Sequence, residues 1–420
     1  MGHIRQSARS TSARFFFIIV LTLTYVPLRA AFAQEAVEVL ESQTTYSFGD
    51  RLTFQARFQS SSPIKSVYVL FDAQGETHTE PVPATINPDG SVVCEVDLAA
   101  NPLRPFSEVR YRYHLTLSDG RTVTTPTYTF AYTDNRFTWQ ELNEGAFTVS
   151  WYQGDINMAQ SALDVAQSGF VHVKSILNGS TVDEPIHFYI YASARDLQGV
   201  LEPSGGNLYA GHADPELDVA LINLPPGPDQ QNQMEQRIPH ELMHIMLYRA
   251  TKDGYKNLPV WLNEGLASVV ELYPNPDYQV LLDNAYQADN LLPVASLCEG
   301  FPRDASNTIL AYAESASFTR YLYETYGVKG INGLMTNYAN GLACQPGLQK
   351  ALGTTIAQAE REWRGAVFSE NHVEKSLASL APWFVVLIAV LAGPIGFTLS
   401  LSRRKRSTQA EAAILAHNEL

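Results

Sequence analysis

Cysteine is nearly absent: Cys94, Cys298 and Cys344 are the only three in 420 residues. No two sit at CxxC spacing, which excludes a dithiol redox pair and a zinc knuckle. The chain also lacks a glycine-rich phosphate loop, a serine-nucleophile elbow and an internal repeat. Positive charge is in deficit, with 29 Lys and Arg against 43 Asp and Glu, a formal net charge of −14. Nucleic-acid binding needs a cationic stripe, so that class is set aside. An acidic surplus otherwise speaks to solubility rather than to a partner.

Long apolar runs occur only at the ends. Arg5, Arg9 and Arg14 precede an apolar stretch from Phe15 to Leu28, and Ala31-Phe32-Ala33 gives a small-x-small cleavage site. Residues 1–33 therefore read as a signal peptide. Pro382 to Leu401 carries no charge, and Arg403, Arg404, Lys405 and Arg406 follow it. That pattern predicts a transmembrane helix over 382–402, a linker at 371–381 before it and a cytoplasmic tail over 403–420. The expected location is a cell membrane crossed once, with everything before Pro382 outside.

Between the ends, two textures meet near Asp134. Leu52, Phe54, Ala56 and Phe58 alternate with polar neighbours. So do Val67, Val69 and Phe71, and then Val109 to Leu117. Asp119-Gly120 marks a hairpin, after which Val123 to Tyr132 resumes the alternation. Short strands with Pro, Gly and Asp between them predict an all-β sandwich of immunoglobulin or fibronectin type over 34–134. It would serve as a spacer or docking module. Beyond it, Phe147–Trp151, Pro185–Tyr191 and Asp218–Leu224 read as strands, Asn157–Leu177 as an amphipathic helix, and the remainder as helical. The fold class is α+β. Cys94 is in phase with buried positions and should be a free thiol. Cys298 and Cys344 share the later region and should pair in an oxidising compartment.

The chemistry concentrates in His240-Glu241-Leu242-Met243-His244 and Trp261-Leu262-Asn263-Glu264-Gly265-Leu266-Ala267. Imidazoles at i and i+4 lie on one helical face, the spacing needed to hold a Zn2+ ion from one side. Glu241 can lean over the same ion without ligating it. Glu264, in a second helical stretch, offers a third ligand, and three protein ligands leave a position for water.

Asn263-Glu264-Gly265-Leu266-Ala267, nineteen residues beyond His244, resembles the third-ligand motif of the gluzincin metallopeptidases. The wider pattern of IPHELMH, PVWLNEGLA and AYAESASFTRYLYETYG is similar to the peptidase MA-like family of bacterial surface proteins. The resemblance covers about 135–370 and implies a thermolysin-like domain in which zinc-activated water attacks a peptide carbonyl. Glu241 would be the general base. It implies that Tyr312, at the tyrosine of the family's YAxSxSF segment, donates to the oxyanion, and that DVALINL is the edge strand beside the cleft. Thermolysin-like enzymes place an aspartate four residues after the third ligand. Ser268 stands there in this chain, with Glu271 one turn on as a substitute. The Gly-x-Met-Glu-Asn segment of the aminopeptidase branch is missing, which favours endopeptidase action on a protein or peptide. The competing reading is an inactive surface binding or adhesion protein, and a third is hydrolysis of a non-peptide amide.

Overall fold

The computed structural model describes residues 37–76, 81–177, 179, 181–182, 184–201 and 210–368. The signal-peptide segment and the stretch from 369 onward lie outside these residues.

The first part is a β unit of β1 (Val37–Ser47), β2 (Arg51–Ser60), β3 (Ile64–Ala73), β4 (Val82–Ile86), β5 (Ser91–Asp97), β6 (Ser107–Leu117), β7 (Thr122–Thr124) and β8 (Tyr128–Tyr132). Hydrogen bonds run in the order β1-β2-β5-β4-β3-β6-β7, with β8 also on β6. A flat sheet of that order would put β2 and β6 roughly 19 Å apart, at about 4.8 Å per strand. Yet the Phe54 and Tyr111 ring centroids are 4.9 Å apart, and those of Phe58 and Tyr113 5.2 Å. The sheet therefore folds over through β4, and the alternating apolar residues meet inside. Val123 to Tyr132 is not one strand. Pro126 has no N–H to give a ladder, and the chain breaks there into β7 opposite His114–Thr116 and β8 opposite Ser107–Tyr111.

The second part starts with β9 (Gln140–Glu144) and β10 (Phe147–Trp151), then α1 (Ile156–Ile176), β11 (Ile186–Tyr191), α2 (Ala194–Leu201), β12 (Gly211–Asp214) and β13 (Val219–Asn223). Its five-stranded sheet has the order β12-β13-β11-β10-β9. The expectation that DVALINL forms the edge is corrected: β13 pairs on both sides, and β12 is the outer strand. Val219–Ile222 are all buried, as a strand with two neighbours and two covered faces should be.

One face of this sheet packs on α1 and α3 (Gln230–Thr251), and α4 (Val260–Val269), α5 (Asp277–Gln287), α6 (Ala305–Ala339, interrupted at Gly327) and α7 (Cys344–Leu352) extend the same core beyond them. The other face carries Tyr189, Tyr191, Val219 and Leu221 into the core of the β unit, where Phe106 lies 4.0 Å from Tyr189 between ring centroids. Asp134 is buried at this junction and accepts from Arg136 and from the Tyr191 hydroxyl.

Gly265 permits the closest helix contact. A Cβ there would stand 2.0 Å from Thr319 Oγ1 and 2.5 Å from Ser315 O, so α4 lies directly against α6. Cys298 and Cys344 form the expected disulfide, and Cys94 is a buried free thiol.

The expected membrane location is overturned: no helix among the described residues is long and apolar enough to cross a membrane. The longest, α6, carries Glu314, Arg320, Glu324 and Lys329 along its length and turns a mixed face to the helices around it. The run Pro382–Leu401 on which the expectation rested falls outside the described residues.

Candidate metal centre

α3 supplies His240 and His244 from successive turns, and α4 supplies Glu264 from across the gap. His240 Nε2 is 3.4 Å and His244 Nε2 3.7 Å from Glu264 Oε2. Donor atoms about 2.1 Å from a shared zinc stand about 3.4 Å apart in a tetrahedron, so the cluster has the right size for that ion. Among the described residues these three are the only group of His, Cys, Asp and Glu close enough to share a metal. Glu241 is buried beside them and is not in the ligand group.

The imidazoles are oriented from behind. His240 Nδ1 is 2.9 Å from Glu271 Oε1, and His244 Nδ1 is 3.2 Å from Asn263 Oδ1. Both partners are acceptors, so each Nδ1 keeps its proton and Nε2 is the nitrogen turned to the metal position, free to ligate once it is deprotonated. Asn263 is itself fixed, since its Nδ2 donates to the Tyr255 hydroxyl at 3.0 Å.

Pro239 explains how Glu271 arrives. α3 does not start at this proline; it begins nine residues earlier and runs through it. A proline cannot donate to the carbonyl four residues back, which leaves Glu235 O without its helical partner. The Leu272 N–H takes that carbonyl at 2.9 Å and the Tyr273 N–H approaches it at 3.4 Å. The chain leaving α4 is thereby pinned to the metal helix, with Glu271 against His240.

Charge in the site is one-sided. Burial disfavours a charged His240, yet its hydrogen bonds to Glu264 and Glu271 outweigh burial and hold the imidazolium well above the ordinary range. Burial pushes the Glu241 carboxyl up to about 7, while His240 pulls it back. Burial carries His244 down to about 4. Three carboxylates around two buried imidazoles favour positive charge at this spot, which a divalent cation supplies.

Two adjoining cavities open onto the ligands. One of about 190 Å³ is bounded by the three ligands, Glu241, Tyr255 and Tyr312. The other, of about 310 Å³, lies on the His240 side and includes Arg237, Glu271, Tyr278 and Tyr312. Tyr312 thus faces the site, half-buried, with its ring edge-on to Phe301 at 4.9 Å. The edge strand β12 closes the upper wall, where a Cβ on Gly211 would meet Glu241 Oε1 at 2.5 Å. Sequence reasoning missed Tyr255, Asn263 and the cavity-lining His212, and it ranked Glu271 only as a substitute. Asn263 next to a ligand was the one available signal. The other three are brought in by folding across long stretches of chain.

No curated protein matches this chain. The solved structures similar to it include a carbohydrate-binding module family 56 β-1,3-glucan binding domain. That match has 20% identity, covers 21% of this chain and 95% of that one, and has a TM-score of 0.16. Others are a cycloalternan-degrading enzyme from Trueperella pyogenes (16%, covering 26% and 13%, TM-score 0.18) and a polysaccharide deacetylase from Bacillus cereus (11%, covering 40% and 57%, TM-score 0.19). Similarity at that level carries no argument about this chain. The family comparison is different in kind. Residues 165–369, which contain every candidate ligand and every orienting partner described above, match the family model of the Peptidase MA superfamily.

Proposed function

We propose that this chain is a zinc metallopeptidase of the gluzincin, thermolysin-like kind, acting as an endopeptidase on peptide or protein substrates. The observation that carries the reading is the convergence of His240, His244 and Glu264, both imidazoles held from behind, with the carboxylate of Glu241 in the same cavity. Bound zinc would supply Lewis acidity, polarising a carbonyl and making a water easier to deprotonate.

The protein's own groups do the rest. Glu241, which lines the same cavity, would take a proton from the attacking water and hand it to the leaving amine. A substrate strand would add to the open side of β12, which has β13 as its only partner strand among the described residues. Tyr312, on the opposite wall, would donate its hydroxyl hydrogen to the developing oxyanion. In this reading the unit over 135–370 is the catalytic one, and the immunoglobulin- or fibronectin-like unit over 34–134 backs its sheet.

Glu241→Gln tests the reading. The amide keeps the shape but cannot accept the proton, so the variant should bind zinc stoichiometrically and cleave a peptide library at least about 10²-fold more slowly. Turnover near that of the unaltered protein would remove Glu241 from the chemistry. Absence of peptide cleavage by both proteins would favour the binding-protein alternative.

A further inference from the structure

Arg237 lies one turn before His240 on α3, and so on the face that carries the metal ligands. It lines the cavity of about 310 Å³ that opens beside His240 and Glu241. Its Nη1 is occupied, donating to Asn223 O at the end of β13 and to Gln233 Oε1 at 3.2 Å. Its Nε is buried with no acceptor, and its Nη2 has none among the described residues either. No carboxylate approaches the guanidinium within 4.0 Å there, although eight other arginines of the chain do have such a partner or an acid beside them on the same surface. Burial lowers the Arg237 guanidinium from its ordinary value, and no counter-charge offsets it. The acids bounding the same cavity are already engaged. Glu271 holds His240, and Glu241 faces Gly211 and the ligands.

A half-buried guanidinium whose Nη2 has no acceptor among the described residues can give a carboxylate a charge-assisted hydrogen bond, and the carboxylate would supply the counter-charge that the buried group lacks. We propose that Arg237 is a specificity-determining residue, and that the cavity beside His240 receives a carboxylate of the peptide substrate next to the bond being cut. This rests on the peptidase reading and names a substrate class for it. The carboxylate comes either from an Asp or Glu side chain or from a free chain terminus. Both present the same group to Nη2.

The test uses the full chain loaded with zinc and C-terminally amidated peptides that differ only by Glu or Gln at the residue on either side of the cleaved bond. A neutral peptide with a free terminal carboxylate forms a third arm. Cleavage is read on the unaltered protein, and binding on Glu241→Gln by fluorescence anisotropy. Glu should be preferred over Gln by about tenfold or more in both readouts. Arg237→Gln, which keeps a donor for Asn223 O, should abolish that preference and leave neutral peptides nearly unaffected. Arg237→Lys should retain part of it, and Arg237→Glu should turn it toward a Lys-bearing peptide. Preference for only the free-terminus peptide would assign the site to the chain end. Equal treatment of Glu and Gln with no gain from the free terminus, or a preference that survives Arg237→Gln, overturns the inference while leaving the peptidase reading intact. Arg237-dependent binding of acidic peptides without any cleavage would instead sink the peptidase reading, and with it the place next to a cut bond, while keeping the carboxylate site at Arg237.

Discussion

Removing Glu264 and removing Glu271 should both weaken metal binding, by different routes. Glu264→Ala deletes one of three protein donors, and zinc should be lost on dialysis. Glu271→Ala leaves the donors in place but frees His240 to rotate and change tautomer, which typically lowers metal affinity about 10- to 100-fold. Competition against a chromophoric chelator ranks the two, and unchanged affinity in Glu271→Ala would reduce its contact to packing. Tyr312→Phe addresses the chemistry instead. An oxyanion contact strengthens only in the transition state, so kcat should fall by about 10²-fold with KM little moved. If kcat holds while Tm drops, the ring is a packing element against Phe301. The cluster of His240, His244 and Glu264, with Glu241 beside it, was legible in the sequence because it depends on spacing along helices, which is local. Arg237 sits on the same face and was equally within reach, but an arginine near a motif has many ordinary explanations. The partners of His240 and His244 could be placed only once α3 and α4 had docked, where the carbonyl that Pro239 leaves free takes the Leu272 N–H.

Helices announce themselves in this sequence better than the strand that borders the cleft. α1 and β11 begin within a residue of the ranges read from apolar periodicity, since each buries one face on a large core. Gly-His-Ala-Asp of β12 has no alternation to read. It has one neighbour strand, four residues and a glycine that the approach of Glu241 requires. The edge was assigned to DVALINL by the family resemblance, and nothing in Gly-His-Ala-Asp spoke against it. α6 carries a different unread feature, Glu314, buried and bonded to the Leu292 N–H at 2.8 Å. Burial pushes its carboxyl up to about 8, with the Leu292 hydrogen bond and Arg364 pulling back. The unfolded chain releases this proton near the ordinary 4.5, whereas the folded chain keeps it to about pH 8. Between those values the folded state binds more protons, so stability falls as pH rises through the window and levels off above it. Glu314→Gln preserves the acceptor for Leu292 and has no proton to lose. Its Tm should vary less from pH 5 to pH 9 than that of the unaltered protein, and should exceed it at pH 9. Parallel Tm profiles would show that Glu314 is ionised in the fold at no cost.

The change of sequence texture near Asp134 suggested two modules that meet there, and the molecule is tied together across that boundary. Asp134 is buried between Arg136 and Tyr191, and the outer face of the second sheet completes the core of the first unit. The closest link to the metal centre runs through Arg104 of the β unit. Its Nε and Nη2 grip both carboxylate oxygens of Asp214 at 2.7 and 2.5 Å, while Nη1 donates to Glu216 at 2.8 Å. Asp214 ends β12, the strand whose Gly211 lies against Glu241. The β unit therefore acts as a buttress for the wall on which a substrate strand would lie. Two-point arginine–carboxylate pairing fixes direction as well as distance, so its loss should be felt along the strand more than in the global fold. Arg104→Ala should speed amide hydrogen exchange across Gly211–Asp214 while leaving exchange in α3 and α4 unchanged. KM for peptides should rise several-fold and zinc affinity should stay as it was, since no ligand or orienting partner is touched. Faster exchange spread evenly over the whole second sheet would mean that Arg104 merely holds the two units together, and that β12 is kept in place by β13 alone.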